Sequence, residues 1–244
     1  MENYEPITSF GDAVAEVYDA HARRTDTAAT VAMLAELAGD GPALELAIGT
    51  GRVALPLAAG GIRVDGIDLS TAMVAKLRAK AGGDRIAVTI GDFADVPVEG
   101  NYRLIYLVFN TLFNLLTQDE QVRCFMNVAR HLTGDGSFVV EAFLPTFLAR
   151  LRDDQYVDAE AIAVDEVRLD VGRHDPVTQT LEESHVVFSD GGVRLFPIVT
   201  RYAWPSELDL MARLAGLRLK DRWGGWNREP FDARSVDHVS VYGH

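Results

Sequence analysis

The sequence predicts an α/β fold in which a doubly wound, mostly parallel seven-stranded sheet, antiparallel only at its last strand, carries an inserted antiparallel β cover. Two observations lead to this fold class. Short apolar runs alternate with helical patterns through residues 43–143, an order typical of parallel strands joined by right-handed crossovers. Residues 144–204 instead hold consecutive β-like runs separated by turn residues. The expected organisation is one unit of residues 1–143 and 205–244, interrupted by a β-rich cover of residues 144–204.

The elements of the first unit follow from hydrophobic periodicity and from helix boundary signals. An amphipathic start around Val17 and Tyr18 leads to Asp26, which we expect to cap a helix that runs toward Gly39. Strands are predicted at residues 43–48, 63–68, 86–90, 104–109 and 137–143, with helices at 52–59, 71–79 and 120–132.

Three strands are predicted in the inserted segment, at residues 161–171, 178–188 and 193–204. The sequences 174–176 (His-Asp-Pro) and 190–192 (Asp-Gly-Gly) between them are typical of hairpin turns. A helix at 205–215 and strands at 217–223 and 238–242 then complete the main sheet. Because no helical segment separates these last two strands, we expect them to pair antiparallel at one end of the sheet.

The composition restricts the partners and the compartment. Lys and Arg total 23 of the 244 residues against 36 for Asp and Glu, and the resulting net charge of −13 opposes the phosphate contacts of nucleic-acid binding. No signal-peptide pattern opens the sequence and no apolar run approaches the ~20 residues of a membrane span, so we expect a cytoplasmic protein without membrane contact. The single cysteine, Cys124, lies in a helical pattern that favours a buried thiol. A homodimer is left open.

Three short motifs at the ends of successive predicted strands indicate a nucleoside site. Residues 45–51 (Glu-Leu-Ala-Ile-Gly-Thr-Gly) lead from a strand into a helix, and the glycines permit a tight turn beside a ligand. Alone this motif is ambiguous, since residues 49–54 also satisfy the dinucleotide pattern. Asp68, after the next strand, lies near the spacing of ~20 residues expected of a ribose-binding carboxylate. Residues 91–93 (Gly-Asp-Phe) could bind an adenine edge, a feature that a typical dinucleotide site lacks.

Together these motifs resemble class I S-adenosylmethionine-dependent methyltransferases of the small-molecule type. The resemblance covers residues 18–143 and, by topology, the last two strands. It implies a Rossmann-like domain, S-adenosylmethionine as the cofactor and methyl transfer to an amine or hydroxyl of a small-molecule metabolite, an activity of specialised metabolism. The inserted segment resembles in architecture the cover of amino-sugar N-methyltransferases, without a specific motif. One departure is Ala47, where the family often has glycine.

The resemblance also assigns roles to cofactor-site residues. By resemblance, Glu45 anchors the glycine loop and Asp68 holds the ribose hydroxyls. Met73 is expected to pack on the adenine, and Asp92 with Phe93 to read its edge. The full expected set of cofactor contacts is Tyr18, Glu45, Ala47, Gly49, Thr50, Gly51, Asp68, Leu69, Met73, Asp92, Phe93 and Phe109.

The acceptor is expected beyond the carboxyl ends of the strands, where ligands of open α/β sheets bind. Asn110 is the first candidate for substrate or cofactor contact, with a helix cap for the next segment as the alternative. Tyr18 resembles an N-terminal aromatic that folds over the donor, and packing into the core is its alternative. The connection between the last two strands, residues 223–228, contains aromatic side chains and an arginine that could select the substrate. Packing and turn formation are the alternative. Expected substrate contacts are Asn110, Phe113, Asn114, Glu141, Trp226 and Arg228.

A catalytic base is optional, because a sulfonium already activates its methyl group and alignment carries most of the reaction. His185 is the best candidate base, since it lies on a strand of the predicted cover and imidazoles in general titrate near neutrality. The alternative is that His185 is a hydrogen-bonded structural residue. His21, His131, His174 and His238 are weaker candidates for the base. The loop after the fourth strand lacks the Asn/Asp-Pro-Pro-aromatic sequence of methyltransferases that act on nucleobase or glutamine amides. It also lacks the carboxylate of magnesium-dependent catechol-type enzymes, so the resemblance implies neither a polymer substrate nor a metal ion.

Other functions stay open from the sequence. A non-methylating relative could use the same fold for cyclisation or rearrangement. An NAD-dependent oxidoreductase is opposed by the motif at residues 91–93 and by the antiparallel last pair of strands. A nucleotide-sensing module is opposed by the inserted segment, since a sensor needs no cover.

Overall fold

The computed structural model describes residues 1, 4, 5, 9, 11–16, 18–21 and 27–244. Val17 and the predicted cap Asp26 lie outside the described residues, as does the side chain of His21. The helices are α1 (Asp12–Ala15), α2 (Tyr18–His21), α3 (Thr27–Ala38), α4 (Ala54–Ala59), α5 (Thr71–Arg78), α6 (Gln118–His131) and α7 (Pro205–Leu214). Short 3₁₀ helices lie at Gly83–Arg85, Thr111–Asn114 and Pro145–Arg150.

Eleven strands are present among the described residues. Those of the first unit are β1 (Ala43–Leu46), β2 (Val64–Asp68), β3 (Ala87–Ile90), β4 (Tyr102–Leu107) and β5 (Leu132–Phe143). The inserted segment holds β6 (Gln155–Ile162), β7 (Glu166–Asp175), β8 (Thr180–Ser189) and β9 (Gly192–Arg201), and β10 (Arg218–Trp223) and β11 (Asp237–Gly243) follow.

Seven of these strands form the main sheet, in the order β10-β11-β5-β4-β1-β2-β3. Strands β1 to β5 pair parallel with one another, whereas β11 is antiparallel to both β5 and β10. This confirms the predicted parallel sheet with an antiparallel last strand. Alternate residues of β4 enter opposite cores, Ile105 with Phe138 on one face and Tyr106 with Val139 on the other. Helices cover both faces, which explains why the sequence shows continuous apolar runs rather than alternation.

Helix α6 illustrates how local sequence sets an element. Thr117 and Glu120 form a reciprocal capping box, so the helix begins at Gln118 rather than at the predicted residue 120. Its apolar face buries Phe125 and Val128 in the core. Cys124 is fully buried on the same face, and burial raises the pKa of its thiol, as expected of a packing residue rather than a nucleophile.

The inserted segment forms a separate antiparallel sheet in the order β6-β7-β8-β9, which we call the cover sheet. The predicted strand at 161–171 is wrong, because the chain turns at residues 163–165 and that run joins the end of β6 to the start of β7. The turn contains the exposed Val164 and no glycine or proline, so its only turn signal was Asp165. A register shift between Ala159 and Ala161 interrupts β6 beside Glu160.

A buried guanidinium connects the cover sheet to the main unit. Arg201, at the end of β9, donates hydrogen bonds to Gln121 on α6 over 2.7 Å and to Glu207 on α7 over 2.8 Å. It also donates to Gln179 at the start of the same hairpin over 3.0 Å. These contacts hold the cover sheet above the carboxyl edge of the main sheet. None of the described helices has the length and apolar character needed to span a membrane.

Candidate active site

The turn after β1 is built on left-handed backbone. Ala47, Gly49 and Gly51 have φ angles of 57°, 56° and 81°. A Cβ on Gly49 would meet no atom within 4 Å, whereas one on Gly51 would lie 3.0 Å from Leu77. Gly49 therefore leaves open space beside the backbone, and Gly51 permits close packing on α5. Ala47 adopts a conformation that favours glycine, so its methyl group adds local strain.

Two carboxylates hold this loop. Oδ2 of Asp68 accepts a hydrogen bond from the Gly49 amide over 2.6 Å, and Oδ1 accepts one from the Ser70 amide over 2.8 Å. Glu45 is buried beneath the loop, where it accepts hydrogen bonds from the Tyr106 hydroxyl over 2.9 Å and from the Ala54 amide. Burial raises the pKa of Glu45 to about 8 and also raises that of Asp68.

The residues that follow β2 and β3 present both apolar and polar side chains. Leu69 is 49% exposed, whereas Met73 is 2% exposed and packs inside the protein. Leu69 thus presents the apolar surface that we assigned to Met73 from the sequence. Asp92 is partly exposed and accepts a hydrogen bond from the Ala94 amide over 2.8 Å. Phe93 is partly buried against the core.

Helix α2 packs on the glycine loop through polar contacts. Thr50 donates its hydroxyl to Asp19 over 2.6 Å, and Lys80 forms an ion pair with the same carboxylate at 2.6 Å. Lys80 also donates to the carbonyl of Thr50 over 2.8 Å. Thr50 therefore anchors the loop, because its hydroxyl is hydrogen-bonded to Asp19.

Arg52 is a site residue to which the sequence analysis gave no role. Its guanidinium carbon lies 3.8 Å from the centroid of the Phe109 ring, and its NH2 group lies 3.5 Å from the Tyr18 hydroxyl. This arrangement brings a cation to the open end of the glycine loop. Its position directly after Gly51 was the available signal, but a charged residue at a helix start is ordinarily solvated.

The loop after β4 is held in an unusual conformation. Phe109 and Asn110 both have positive φ angles, of 58° and 62°. The Phe109 amide donates to Glu141 over 2.7 Å, and the Phe143 amide donates to Oδ1 of Asn110 over 2.6 Å. Asn110 precedes a 3₁₀ helix without capping it through its side chain, so the alternative of a side-chain helix cap is wrong. The two contacts join the ends of β4 and β5.

Two predicted substrate contacts lie beneath this loop instead of at a surface. Glu141 is 3% exposed, and its carboxylate positions the loop backbone. Phe113 is fully buried, with its ring 5.1 Å from that of Phe143. Both predictions of direct contact are therefore corrected to a supporting position. The sequence placed them at the correct edge of the sheet but could not show which way they face.

A cavity of about 520 Å³ lies between the glycine-loop end of the main sheet and the cover sheet. The main unit contributes Tyr18, Phe109, Asn110 and Asn114 to its wall. The cover sheet contributes Glu160, Glu183, His185 and Phe196. A second, more open concavity of about 650 Å³ lies elsewhere on the cover sheet, between Met1 and Arg173. The first cavity brings together four residues predicted as cofactor or substrate contacts and the predicted base.

The candidate base has a carboxylate partner. His185 on β8 pairs in register with Asp170 on β7, and Nδ1 of the imidazole lies 2.5 Å from Oδ1 of the carboxylate. Glu160 is close to both, with one ligand atom of each residue within 4.8 Å of the others. Neighbouring ligand atoms of a tetrahedral ion with bonds of about 2.1 Å lie about 3.4 Å apart. The distance of 2.5 Å between His185 and Asp170 is shorter than this and is that of a hydrogen bond.

The connection between β10 and β11 lies away from the cavity. Trp226 is 5% exposed and belongs to the core that Val139 and Val239 share with α3. Arg228 pairs with Glu36 on α3 at 2.6 Å and lies over the Trp223 ring. The prediction that Trp226 and Arg228 contact substrate is wrong, because this connection folds back onto α3.

Three other histidines, His131, His174 and His238, have structural partners. His131 contacts the carbonyl of Gly100 over 2.9 Å, and His174 contacts the Tyr202 hydroxyl over 2.9 Å. His238 is fully buried beside Ser240, and burial lowers its pKa to about 3. Of these four histidines, counting His185, only His185 lines the cavity.

Comparisons with known proteins agree with this architecture. Residues 43–136 match the family model described as "Methyltransferase domain". The CcbJ methyltransferase from Streptomyces caelestis is 41% identical, with 98% of this chain and 99% of that chain covered and a TM-score of 0.92. A cypemycin N-terminal methyltransferase from a Streptomyces species is 27% identical over 205 residues, 81% of each chain.

A more distant structure shares the fold. CalS10, an amino pentose methyltransferase from Micromonospora echinaspora solved with S-adenosylmethionine bound, is 20% identical, covers 94% of this chain and 96% of its own, and gives a TM-score of 0.69. The open space beside Gly49, the Asp68 carboxylate and the exposed Leu69 fit such a donor. The chain therefore belongs to the class I S-adenosylmethionine-dependent methyltransferases and uses S-adenosylmethionine as its cofactor.

Proposed function

We propose that this methyltransferase acts on an amine nitrogen of a small-molecule metabolite. The observation that carries the proposal is the cavity between the main sheet and the cover sheet, whose cover-sheet wall holds Glu160 and Glu183 together with Arg168, which is paired with Glu166. Asp170 adds a third carboxylate next to His185. A wall of carboxylates attracts a protonated amine and gives no comparable advantage to a neutral hydroxyl. The names of an N-terminal and an amino pentose methyltransferase among the relatives are in keeping with nitrogen as the acceptor.

The donor side of the proposal rests on charged groups at the glycine loop. S-adenosylmethionine supplies a methyl group on a sulfonium, which needs no further activation. We assign the ribose hydroxyls to Asp68 and the carboxylate of the methionine moiety to the guanidinium of Arg52. Tyr18 and Phe109, which flank that guanidinium, would then form the wall around the reacting methyl group. Leu69 and Asp92 would contact the adenine.

The acceptor side rests on residues of both sheets. Asn110 and Asn114 line the cavity from the main unit, and Phe196 lies opposite them on the cover sheet. We propose that residues 144–204 act as a cover that excludes water and holds the acceptor against the donor. Alignment of this kind can supply much of the rate enhancement of a bimolecular transfer.

The protonation of Glu183 would respond to a cationic ligand. Burial raises the pKa of its carboxyl group, and the nearby charge of Asp170 raises it further. Tyr156 donates a hydrogen bond to it, which acts in the opposite direction. A bound ammonium group would stabilise the ionised forms of Glu183 and Asp170, and these carboxylates would in turn stabilise the charge of the ammonium group.

The test is methyl transfer from donor labelled with ¹³C in its methyl group to matched acceptor pairs. Each pair consists of an amino sugar or cyclic secondary amine and its hydroxyl counterpart. We expect N-methyl products only, and a preference for the hydroxyl counterparts would contradict the proposal. The double variant Glu160→Gln with Glu183→Gln should raise KM for the amine about tenfold or more, whereas Asp190→Asn in the exposed β8–β9 turn should leave it unchanged.

A further inference from the structure

Asp170 is the hydrogen-bond partner of the candidate base His185. The β7–β8 register sets Asp170 directly opposite His185, and cross-strand partners of this kind share a face of the sheet. His185 lines the cavity, so the hydrogen bond at 2.5 Å lies at the cavity wall. The histidine side chain is 48% exposed and that of the aspartate 27% exposed. The pair is thus accessible to a ligand in the cavity.

The contact determines which imidazole nitrogen can accept a proton. A carboxylate can only accept a hydrogen bond, so the neutral ring bonded to Asp170 carries its proton on Nδ1. The lone pair then lies on Nε2, which makes no hydrogen bond to any residue in the described part of the chain. In such pairs the hydrogen bond made by one ring nitrogen selects the tautomer and the function of the other.

We infer that Asp170 is a positioning residue that holds His185 with Nε2 as the proton acceptor for a protonated amine substrate. This inference rests on the proposed function. The N–H bond of the substrate ammonium breaks and an N–H bond forms at Nε2, which leaves a neutral amine and an imidazolium. The freed lone pair then forms the N–C bond as the S–C bond of the donor breaks, giving a methylated ammonium and S-adenosylhomocysteine. The proton on His185 later passes to solvent.

The groups around the pair are mostly carboxyl groups. Asp158 lies opposite Asp170 in the β6–β7 register, and Glu160 lines the same cavity. Glu183 adds a third neighbouring carboxyl group. The charged and titratable groups that face the pair are Asp158 and Glu160 from β6, Arg168 from β7, Glu183 from β8, Arg194 from β9 and Tyr18 from α2. Arg168 is itself paired with Glu166 at 2.7 Å, so carboxylates predominate near the imidazole.

The first test is single-turnover methyl transfer to an amine that the wild type accepts, from pH 5.5 to 9. The rate of the wild type should rise with pH over part of this range, which gives its pH–rate profile an ascending limb. His185→Ala should lose roughly 10²–10⁴-fold in rate and should lose that limb. Asp170→Asn should lose about 10- to 100-fold, because the amide can turn its NH₂ group toward Nδ1 and select the wrong tautomer. Asp170→Glu should recover part of the rate. Donor affinity should stay near the wild-type value in all three variants.

Asp158→Asn is the matched control for this test. It removes a neighbouring carboxylate that does not contact the imidazole, since Oδ1 of Asp158 accepts from the Ala159 amide. We expect it to keep the wild-type limb and a rate within about twofold. An Asp170→Asn variant that is folded and retains both the rate and the limb would overturn the inference.

The second test needs no acceptor. In ¹⁵N-labelled protein at a pH where the ring is neutral, the ring-nitrogen shifts of His185 should report the Nδ1–H tautomer in the wild type and its loss in Asp170→Asn. Identical shifts in the two proteins would contradict the positioning role. If the wild type methylates only hydroxyls, the proposed function fails, while the tautomer measurement still decides the role of Asp170.

Discussion

The amide of Gly49 donates a hydrogen bond to Asp68 over 2.6 Å and so joins the glycine loop to the end of β2. The Ser70 amide occupies the other carboxylate oxygen over 2.8 Å. Each oxygen retains further acceptor capacity, because a carboxylate offers about four lone-pair sites. Asp68 can therefore hold the loop and accept ribose hydroxyls at once.

We expect Asp68→Asn to weaken binding of S-adenosylmethionine about tenfold or more. Hydrogen bonds to charged groups are worth about 1.5–3 kcal/mol, and the substitution removes the charge at nearly constant volume. Isothermal titration calorimetry measures the change. Asp65→Asn is the matched control, because this carboxylate lies on the same strand but bonds Tyr102 and Arg63. Equal affinities of the two folded variants would place the ribose elsewhere.

The donor and its demethylated product should both raise the thermal midpoint, since a ligand that binds only the native state stabilises it. At a concentration of 100 times Kd the expected stabilisation is about 2.7 kcal/mol, or roughly 5–10 °C for a chain of this size. Differential scanning fluorimetry with NAD at the same concentration serves as the comparison. A shift with NAD and none with S-adenosylmethionine would contradict the assignment of the site.

Stability without donor should depend on the ionisation of Glu45. Its pKa rises from the ordinary 4.5 to about 8 in the folded chain, so between these values the folded state binds more protons than the unfolded state. The free energy of unfolding therefore falls as the pH rises from 4.5 to about 8 and loses nothing more from this group above that range. Glu45→Gln removes this contribution.

Thermal midpoints of wild type and Glu45→Gln from pH 5 to 8.5 check this dependence. We expect the midpoint of the variant to gain on the wild type by at least about 3 °C across this interval, which corresponds to roughly 1 kcal/mol. Parallel pH profiles for the two proteins would show that Glu45 is ionised throughout.

Ala47→Gly should stabilise the chain by up to about 1 kcal/mol. Left-handed backbone costs a residue with a Cβ roughly 1–2 kcal/mol, while glycine costs about 0.4–1 kcal/mol in chain entropy. Urea denaturation compares this variant with Ala32→Gly, an exposed position within α3 that should lose about 1 kcal/mol. A loss at residue 47 as large as that at residue 32 would exclude strain at the loop.

Local patterns were sufficient for the main sheet and for the donor loop. Glu45, Gly49, Gly51 and Asp68 lie within single short motifs, and their positions follow from a strand that ends and a helix that begins. The predicted strand at 161–171 failed because the turn at residues 163–165 contains no glycine or proline and Asp165 is its only turn-favouring residue. Arg52 carried too little local information for its ring contacts to be expected.

The parallel α/β sheet and its nucleoside loop could be predicted from the sequence, because those features depend on periodicity and on neighbours along the chain. Which side chains meet in the acceptor cavity depends instead on tertiary packing. Asp170 and His185 are brought together by the register of two cover strands, and Trp226 is removed from the site by the fold of its loop onto α3. Such choices depend on contacts between residues far apart in sequence, whose packing energies no local pattern records.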